Sequence, residues 1–286
     1  IDEIDRTMSL YRDESDIARI NRHAGTASAE VSESTYEVIK EGIRLAELSD
    51  GAFDPTIGAL VKAWGIGTDD PTIPTDQQLE QLLALIDYRR VQFGAQHSVE
   101  LLDPGMVLDL GGIAKGYAAD EAKRILSEGG SSSALINLGG NIMLLGSKPD
   151  GTPWRIGVQD PNDSRGRYTM ILSITSGTVV TSGVYERFFY DEETRYHHIL
   201  DTKTGYPADN GLESVTIVTE NSAYADGLST AAFVMGLDAG VEFINGLPDA
   251  EAIFITADRR IYLSEGIQNG SIPYTVSDDR YEVMTR

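Results

Sequence analysis

The apolar positions of "STYEVIKEGIRLAELSDG" (34–51) recur at helical spacing: Tyr36, Ile39, Ile43, Ala46 and Leu48 form one stripe, and Gly51 supplies a stop. The same period returns in "TDQQLEQLLALID" (75–87), where Thr75 or Asp76 is the N-cap and Leu79, Leu82, Leu83 and Ile86 share a face. In "VLDLGGIAKGYAADEAKRILSEGG" (107–130) a short β-type run breaks on a glycine pair, restarts as a helix and stops on a second pair. "SALINLGGNIMLLGS" reads as strand, turn, strand. Further on, "WRIGVQDP", "TMILSITSGTVVTS", "RFFYDEETRYHHILD" and "ESVTIVTE" are strand-like runs punctuated by Gly, Asn and Asp. A helix follows in "NSAYADGLSTAAFVMG" (221–236), with Asn221 or Ser222 as cap and Gly236 as stop, and "EAIFITADRRIYLSEGI" closes the pattern as a hairpin.

Helices and strands mix without a regular βαβα alternation, which predicts an α+β fold with mixed or antiparallel sheets and packed helices. No repeat, low-complexity tract or long linker interrupts the chain. One compact unit over residues 1–286 is the expectation, with 270–286 as a C-terminal tail that wraps or frays.

Composition sharpens this picture in three places. Against 23 Lys and Arg stand 45 Asp and Glu, and the net charge of −22 repels nucleic-acid backbones and anionic lipid headgroups, so no nucleic-acid partner is expected. Any phosphate must be held by a few local donors or a bridging cation. The absence of cysteine excludes disulfides, thiolate nucleophiles and Cys-based metal sites. No uncharged apolar run is long enough to span a bilayer, and the opening "IDEIDRTMSLYRDES" has neither a basic n-region nor an apolar h-region. A start at Ile1 points to a piece upstream, so this says little about location.

Three constellations could carry chemistry. In "LDLGGIAKGYAAD" (108–120), a strand feeding a Gly-Gly turn into a helix would aim backbone N–H groups from the positive end of the helix dipole, an anion site; equally, Gly111 and Gly112 could merely allow close packing. It is neither a Walker A motif nor a G-x-G-x-x-G fingerprint. In "YADGLSTAAF", Asp226 and Thr230 lie four apart on one helix face and offer hard oxygen donors of the kind Mg²⁺ takes, or else a dipole complement and a back-bonded hydroxyl. In "RYHHILDTKTGYP", the adjacent His197 and His198 point to opposite faces of a strand, so at most one serves a given site; Asp201 follows. Asp54 stands alone in the apolar stretch "GAFDPTIGALVKAWGIG".

These blocks, with "MSLYRDESDIARIN", "INLGGNI" and "SGVYERFF", occur in the order and at about the spacing of the ApbE family of FAD:protein FMN transferases, which the chain resembles from about residue 8 to about 266. The resemblance implies a Mg²⁺-dependent enzyme that splits the diphosphate of FAD, transfers FMN to a Thr or Ser hydroxyl of an acceptor with an FMN-binding domain, and releases AMP. Alternatives within reach of the same residues are an FAD pyrophosphatase giving FMN and AMP, and a non-catalytic flavin-binding protein. Carried over residue by residue, the metal falls to the Asp226 and Thr230 side chains with carbonyls of Gly112 and Ser229. The FAD pocket takes Tyr11, Ala52, Phe53, Asp54, Asp109, Gly112, Lys115 and Leu200. His198 is the candidate base and Asp201 its orienting partner or a substrate ligand. The family implies an extracytoplasmic lipoprotein anchored through a segment upstream of Ile1, where its usual "MGT" strand would also lie. Thr202 stands where the family commonly has proline, and Val184 where it often has an acid.

Overall fold

The helix expected from the first apolar stripe runs Glu33–Leu48, capped by the Ser32 side chain on the Thr35 N–H and followed by Gly51 at φ 76°. The second, Asp76–Leu83, opens on a full capping box between Thr75 and Gln78. In the computed structural model, which describes residues 1–285, contacts gather in two compact units. Unit 1 comprises 1–114 and 186–208, and unit 2 comprises 115–185 and 209–286.

Unit 1 is mainly helical. A three-stranded antiparallel sheet sets Ser98–Leu101 between Ala29–Glu30 and Val91–Phe93, and a hairpin pairs Phe188–Asp191 with Thr194–His197. One core packs Leu60, Trp64, Ile66, Leu79 and Leu200, with Phe189 and Tyr196 against them. The Trp64 Nε1–H donates to the Gly205 carbonyl (2.7 Å), which ties the helix Gly58–Trp64 to the turn that follows the hairpin.

Residues 107–110 differ from expectation. They form no strand: only Val107 makes an isolated bridge, to Ile57. Leu108 exchanges both its backbone bonds with the amide side chain of Asn21 (2.7 and 3.0 Å), and the Asp109 N–H goes to the Pro55 carbonyl (2.8 Å). The alternation of apolar residues is real, since Leu108 and Leu110 are fully buried, but side chains and a loop take the place of a neighbouring strand.

Unit 2 is built on a seven-stranded sheet in the order Glu282–Met284, Arg260–Leu263, Glu251–Thr256, Leu212–Thr219, Gly177–Gly183, Asn141–Leu145, Ala134–Leu138. All pairings are antiparallel except the first. The hairpin between the last two strands turns on Gly139 and Gly140, both at positive φ (65° and 98°), as a two-residue turn requires. A second, three-stranded sheet carries Trp154–Gln159, Tyr168–Ile174 and Tyr274–Val276, and its apolar side shares a core with the first through Leu144, Ile156, Leu172, Val179 and Ile253. The tail therefore wraps. It adds one strand to each sheet, and between them the buried Tyr281 hydroxyl donates to Asp160 (2.5 Å).

The α+β reading is borne out, with nearly every strand and helix predicted from periodicity in place. Among the described residues no helix is long and apolar enough to cross a membrane.

Candidate functional site

Unit 2 holds the helix Ser222–Met235, which positions Asp226, Ser229 and Thr230. Asp226 is 4% exposed. Its Oδ2 accepts the Gly116 N–H (3.0 Å), and its other oxygen accepts no hydrogen bond among the described residues. Burial pushes the carboxyl upward in pKa, while the Lys115 charge and the Gly116 N–H pull it back. The Ser229 hydroxyl donates to the Asp226 carbonyl (2.8 Å) and pairs with Ser182 (2.7 Å). Among the described residues Thr230 has only long contacts, 3.4 Å to the Asp226 carbonyl and 3.3 Å to Ser182, so its hydroxyl is weakly committed. Among the described residues no group of three or more His, Asp or Glu is placed to hold a metal ion. The oxygens here nonetheless suit a hard cation that keeps waters and substrate oxygens, because one carboxylate oxygen of Asp226 accepts no hydrogen bond among the described residues and a hydroxyl lies a helical turn away.

Unit 1 collects a second group. Tyr11 is 62% exposed on a loop secured at its base by the Ser15 hydroxyl on the Ser9 carbonyl (2.7 Å). Its phenol is pushed up in pKa by burial of the hydroxyl end and by the nearby Asp109 charge, with Arg187 opposing. Asp109 is half-buried and its carboxyl is raised by desolvation, against the Gly111 N–H and the charges of Arg187 and Lys62. Its Oδ1 accepts that N–H at 2.9 Å. The Ile113 and Ala114 N–H groups go to the Leu110 carbonyl, so the expectation of a bare row of donors at this turn is corrected: the chain's own acceptors take three of them. Gly112 lies in the same turn, in unit 1.

The strand ends at His197, and His198 lies in the bend that follows, so the two histidines have different settings. His197 is buried, its Nε2–H donating to the Ala208 carbonyl (3.2 Å) and its Nδ1 accepting the Ile199 N–H (3.3 Å), so both nitrogens support structure. His198 is half-buried, and its Nδ1 lies 3.2 Å from the Arg187 carbonyl. A carbonyl only accepts, which assigns the proton to Nδ1 and leaves the lone pair of the neutral ring on Nε2. Asp201 caps the following turn: its Oδ1 accepts the Lys203 N–H (2.7 Å) and its carbonyl the Gly205 N–H (2.8 Å). Leu200 is buried in the Trp64 core and bridges to Pro207.

The lone carboxylate of Asp54 has a local explanation. Oδ1 accepts the Thr56 N–H and hydroxyl (2.8 and 2.7 Å), and Oδ2 accepts the Tyr88 N–H (3.0 Å). Burial outweighs these bonds and raises its pKa. Ala52 and Phe53 are buried beside it, with the Phe53 ring toward Gly42 of the long helix. Thr202, the departure from the family's proline, donates its hydroxyl to the Gly51 carbonyl (2.7 Å) and so ties the histidine turn to this segment. Val184 is 2% exposed, a position where an acid would be costly without a partner. Arg187 is the functional candidate that spacing did not single out. Its only signal was its place in "YERFF".

Asp54, Asp109, Asp120 and Asp226 all carry raised pKa values, with burial the largest cause in each. Above the ordinary carboxylate pKa the folded state therefore binds more protons than the unfolded chain, and stability falls as pH rises through that window. Self-repulsion at −22 acts in the same direction. Asp16, Asp87, Asp103, Asp150, Asp163 and Asp278 are lowered instead, and their contribution is lost only below the ordinary value. The melting temperature is expected to rise between about pH 8 and about pH 5 and to fall below about pH 4. A calorimetric series checks this, and a flat profile from about pH 8 to about pH 5 would contradict the burial of these groups.

The sequence model described as the ApbE family matches residues 1–254. An FAD:protein FMN transferase of Treponema pallidum (strain Nichols) is 39% identical over 274 residues, covering 91% of this chain and 76% of that protein. Among solved structures, the ApbE protein of Thermotoga maritima is similar at a TM-score of 0.86 and 38% identity, over 93% of this chain and 87% of that one. The flavin transferase ApbE from Vibrio cholerae is similar at a TM-score of 0.84 and 32% identity, over 94% and 86%.

Proposed function

The chain belongs to the ApbE family, and from that premise we propose that it is an FAD:protein FMN transferase, moving FMN from FAD to a Thr or Ser hydroxyl of an acceptor protein with an FMN-binding domain and releasing AMP. The observation that carries this reading is the carboxylate of the buried Asp226, one oxygen on the Gly116 N–H and the other accepting no hydrogen bond among the described residues, one helical turn from the loosely held Thr230 hydroxyl.

Asp226 and Thr230, with the Ser229 carbonyl, would hold Mg²⁺. Bound there, the ion supplies charge neutralisation on phosphate oxygens. Lys115 adds positive charge that an acidic protein otherwise lacks near a diphosphate. The Tyr11 ring is exposed and fit to stack on an isoalloxazine. Arg187 and Lys62 offset the Asp109 charge beside it.

Chemically, the acceptor oxygen attacks the phosphorus of the FMN half, and the bond from that phosphorus to the bridging oxygen breaks, so AMP departs with the bridging oxygen. His198 takes the acceptor's proton on Nε2, the nitrogen left basic by the bond from Nδ1 to Arg187. Asp201 acts one step back, holding the turn after His198 in shape through Lys203 and Gly205. The protein is proposed to work outside the cytoplasm as a membrane-anchored lipoprotein.

Intact-mass spectrometry of an FMN-binding-domain acceptor incubated with the protein, FAD and Mg²⁺, with AMP followed in parallel, tests the assignment. The expected result is a gain of one FMN unit with stoichiometric AMP, both lost on chelation. AMP without a labelled acceptor would make the protein a pyrophosphatase, and neither product would reduce it to a flavin binder.

A further inference from the structure

Two helices of unit 2 meet face to face through matching i,i+4 pairs. On the helix Ala114–Glu128 these are Gly116 and Asp120; on the helix Ser222–Met235 they are Ser222 and Asp226. The bonds run in opposite senses. The Gly116 N–H donates to Asp226 (3.0 Å), while the N–H groups of Ser222 (2.9 and 3.0 Å) and Ala223 (2.8 Å) donate to the Asp120 carboxylate. Asn221 takes the next N–H, from Tyr224 (2.7 Å), so Asp120 completes the cap that the helix's own N-cap residue leaves unfinished.

The approach is as close as backbone allows. A Cβ on Gly116 would collide with the Ser222 carbonyl and lie 2.6 Å from the Ala223 Cα. Ser222 is further pinned by its hydroxyl, which donates to Asn141 (2.6 Å) and accepts from Thr178 (3.0 Å). The start of the helix is thus fixed on two sides, by Asp120 from the neighbouring helix and by the sheet, one turn before Asp226.

We propose that Asp120 is a positioning residue for the metal carboxylate: by anchoring the Ser222 and Ala223 N–H groups it sets the height at which Asp226 meets the Gly116 N–H and presents its other oxygen. This rests on the reading of Asp226 as a metal ligand. Groups that orient ligating carboxylates typically govern metal affinity by roughly 10- to 100-fold.

The test is Mn²⁺ titration of the full chain, read from the loss of the free Mn²⁺ paramagnetic resonance signal, with no flavin present. Asp120→Ala is expected to weaken binding by roughly 10- to 100-fold. Asp120→Asn keeps an acceptor oxygen suited to capping and is expected to stay within about threefold of the parent. Tyr281→Phe removes a buried bond elsewhere in unit 2 and reports what destabilisation alone does; it is expected to bind Mn²⁺ as the parent does. Parental affinity in Asp120→Ala, or a loss in Asp120→Asn as large as in Asp120→Ala, overturns the positioning role. Parental affinity in Asp226→Ala would instead overturn the metal assignment beneath it.

Discussion

Asp226→Ala is expected to lower metal-dependent FMN transfer roughly a thousandfold, the equivalent of about 4 kcal/mol of transition-state stabilisation, within the range a bound divalent ion supplies to phosphoryl chemistry. The fold should survive the change. Alanine leaves the Gly116 N–H without its acceptor, a cost of about 1–3 kcal/mol, but it also removes a carboxylate whose burial raises its pKa. Acceptor labelling and melting temperature measured on one preparation separate the two effects. Turnover equal to the parent would take Asp226 out of the metal site.

His198→Ala is expected to reduce kcat by roughly 10²- to 10⁴-fold with little change in KM for FAD. The reasoning is the tautomer: the Arg187 carbonyl holds the Nδ1 proton, and Nε2 is the nitrogen that can receive another. Steady-state kinetics with a saturating acceptor distinguish a base from a binding group. A raised KM with kcat intact would make His198 a substrate ligand.

Much of the architecture was legible because local signals agreed with tertiary ones. Thr75 and Gln78 form the box their spacing promises, and Gly139–Gly140 turn the hairpin that alternation predicts. The segment 107–110 was not legible as non-strand, because its backbone partners are an asparagine side chain and a proline carbonyl more than fifty residues away in sequence, which no local period encodes. Short helices such as Asp16–Arg22 and Gly58–Trp64 are too brief for periodicity to register.

For the site, residue type was the guide and geometry the missing part. Asp226 and Thr230 could be placed on one helix face from spacing, yet nothing local marks Gly116, 110 residues from the Asp226 carboxylate it donates to, or Asp120, 102 residues from the Ser222 N–H it accepts. Asp54 attracted attention as an isolated acid, and its isolation is only sequential: Thr56 and Tyr88 surround it. His197 and His198 look alike in the sequence. The structure separates them by burial and bonding: His197 is buried with both ring nitrogens bonded, whereas His198, the proposed base, is half-buried with Nδ1 against the Arg187 carbonyl.

The division of each unit into two stretches of chain has a consequence in time. A ribosome that has delivered residues 1–114 has not yet made 186–208, which complete unit 1, and Gly177–Gly183 emerges before the strand Leu212–Thr219 that covers one of its edges. The parallel partner of Arg260–Leu263, the strand Glu282–Met284, emerges later still. Each unit thus stays incomplete, with strand edges unpaired, until its second stretch has emerged, and unit 1 is complete before unit 2.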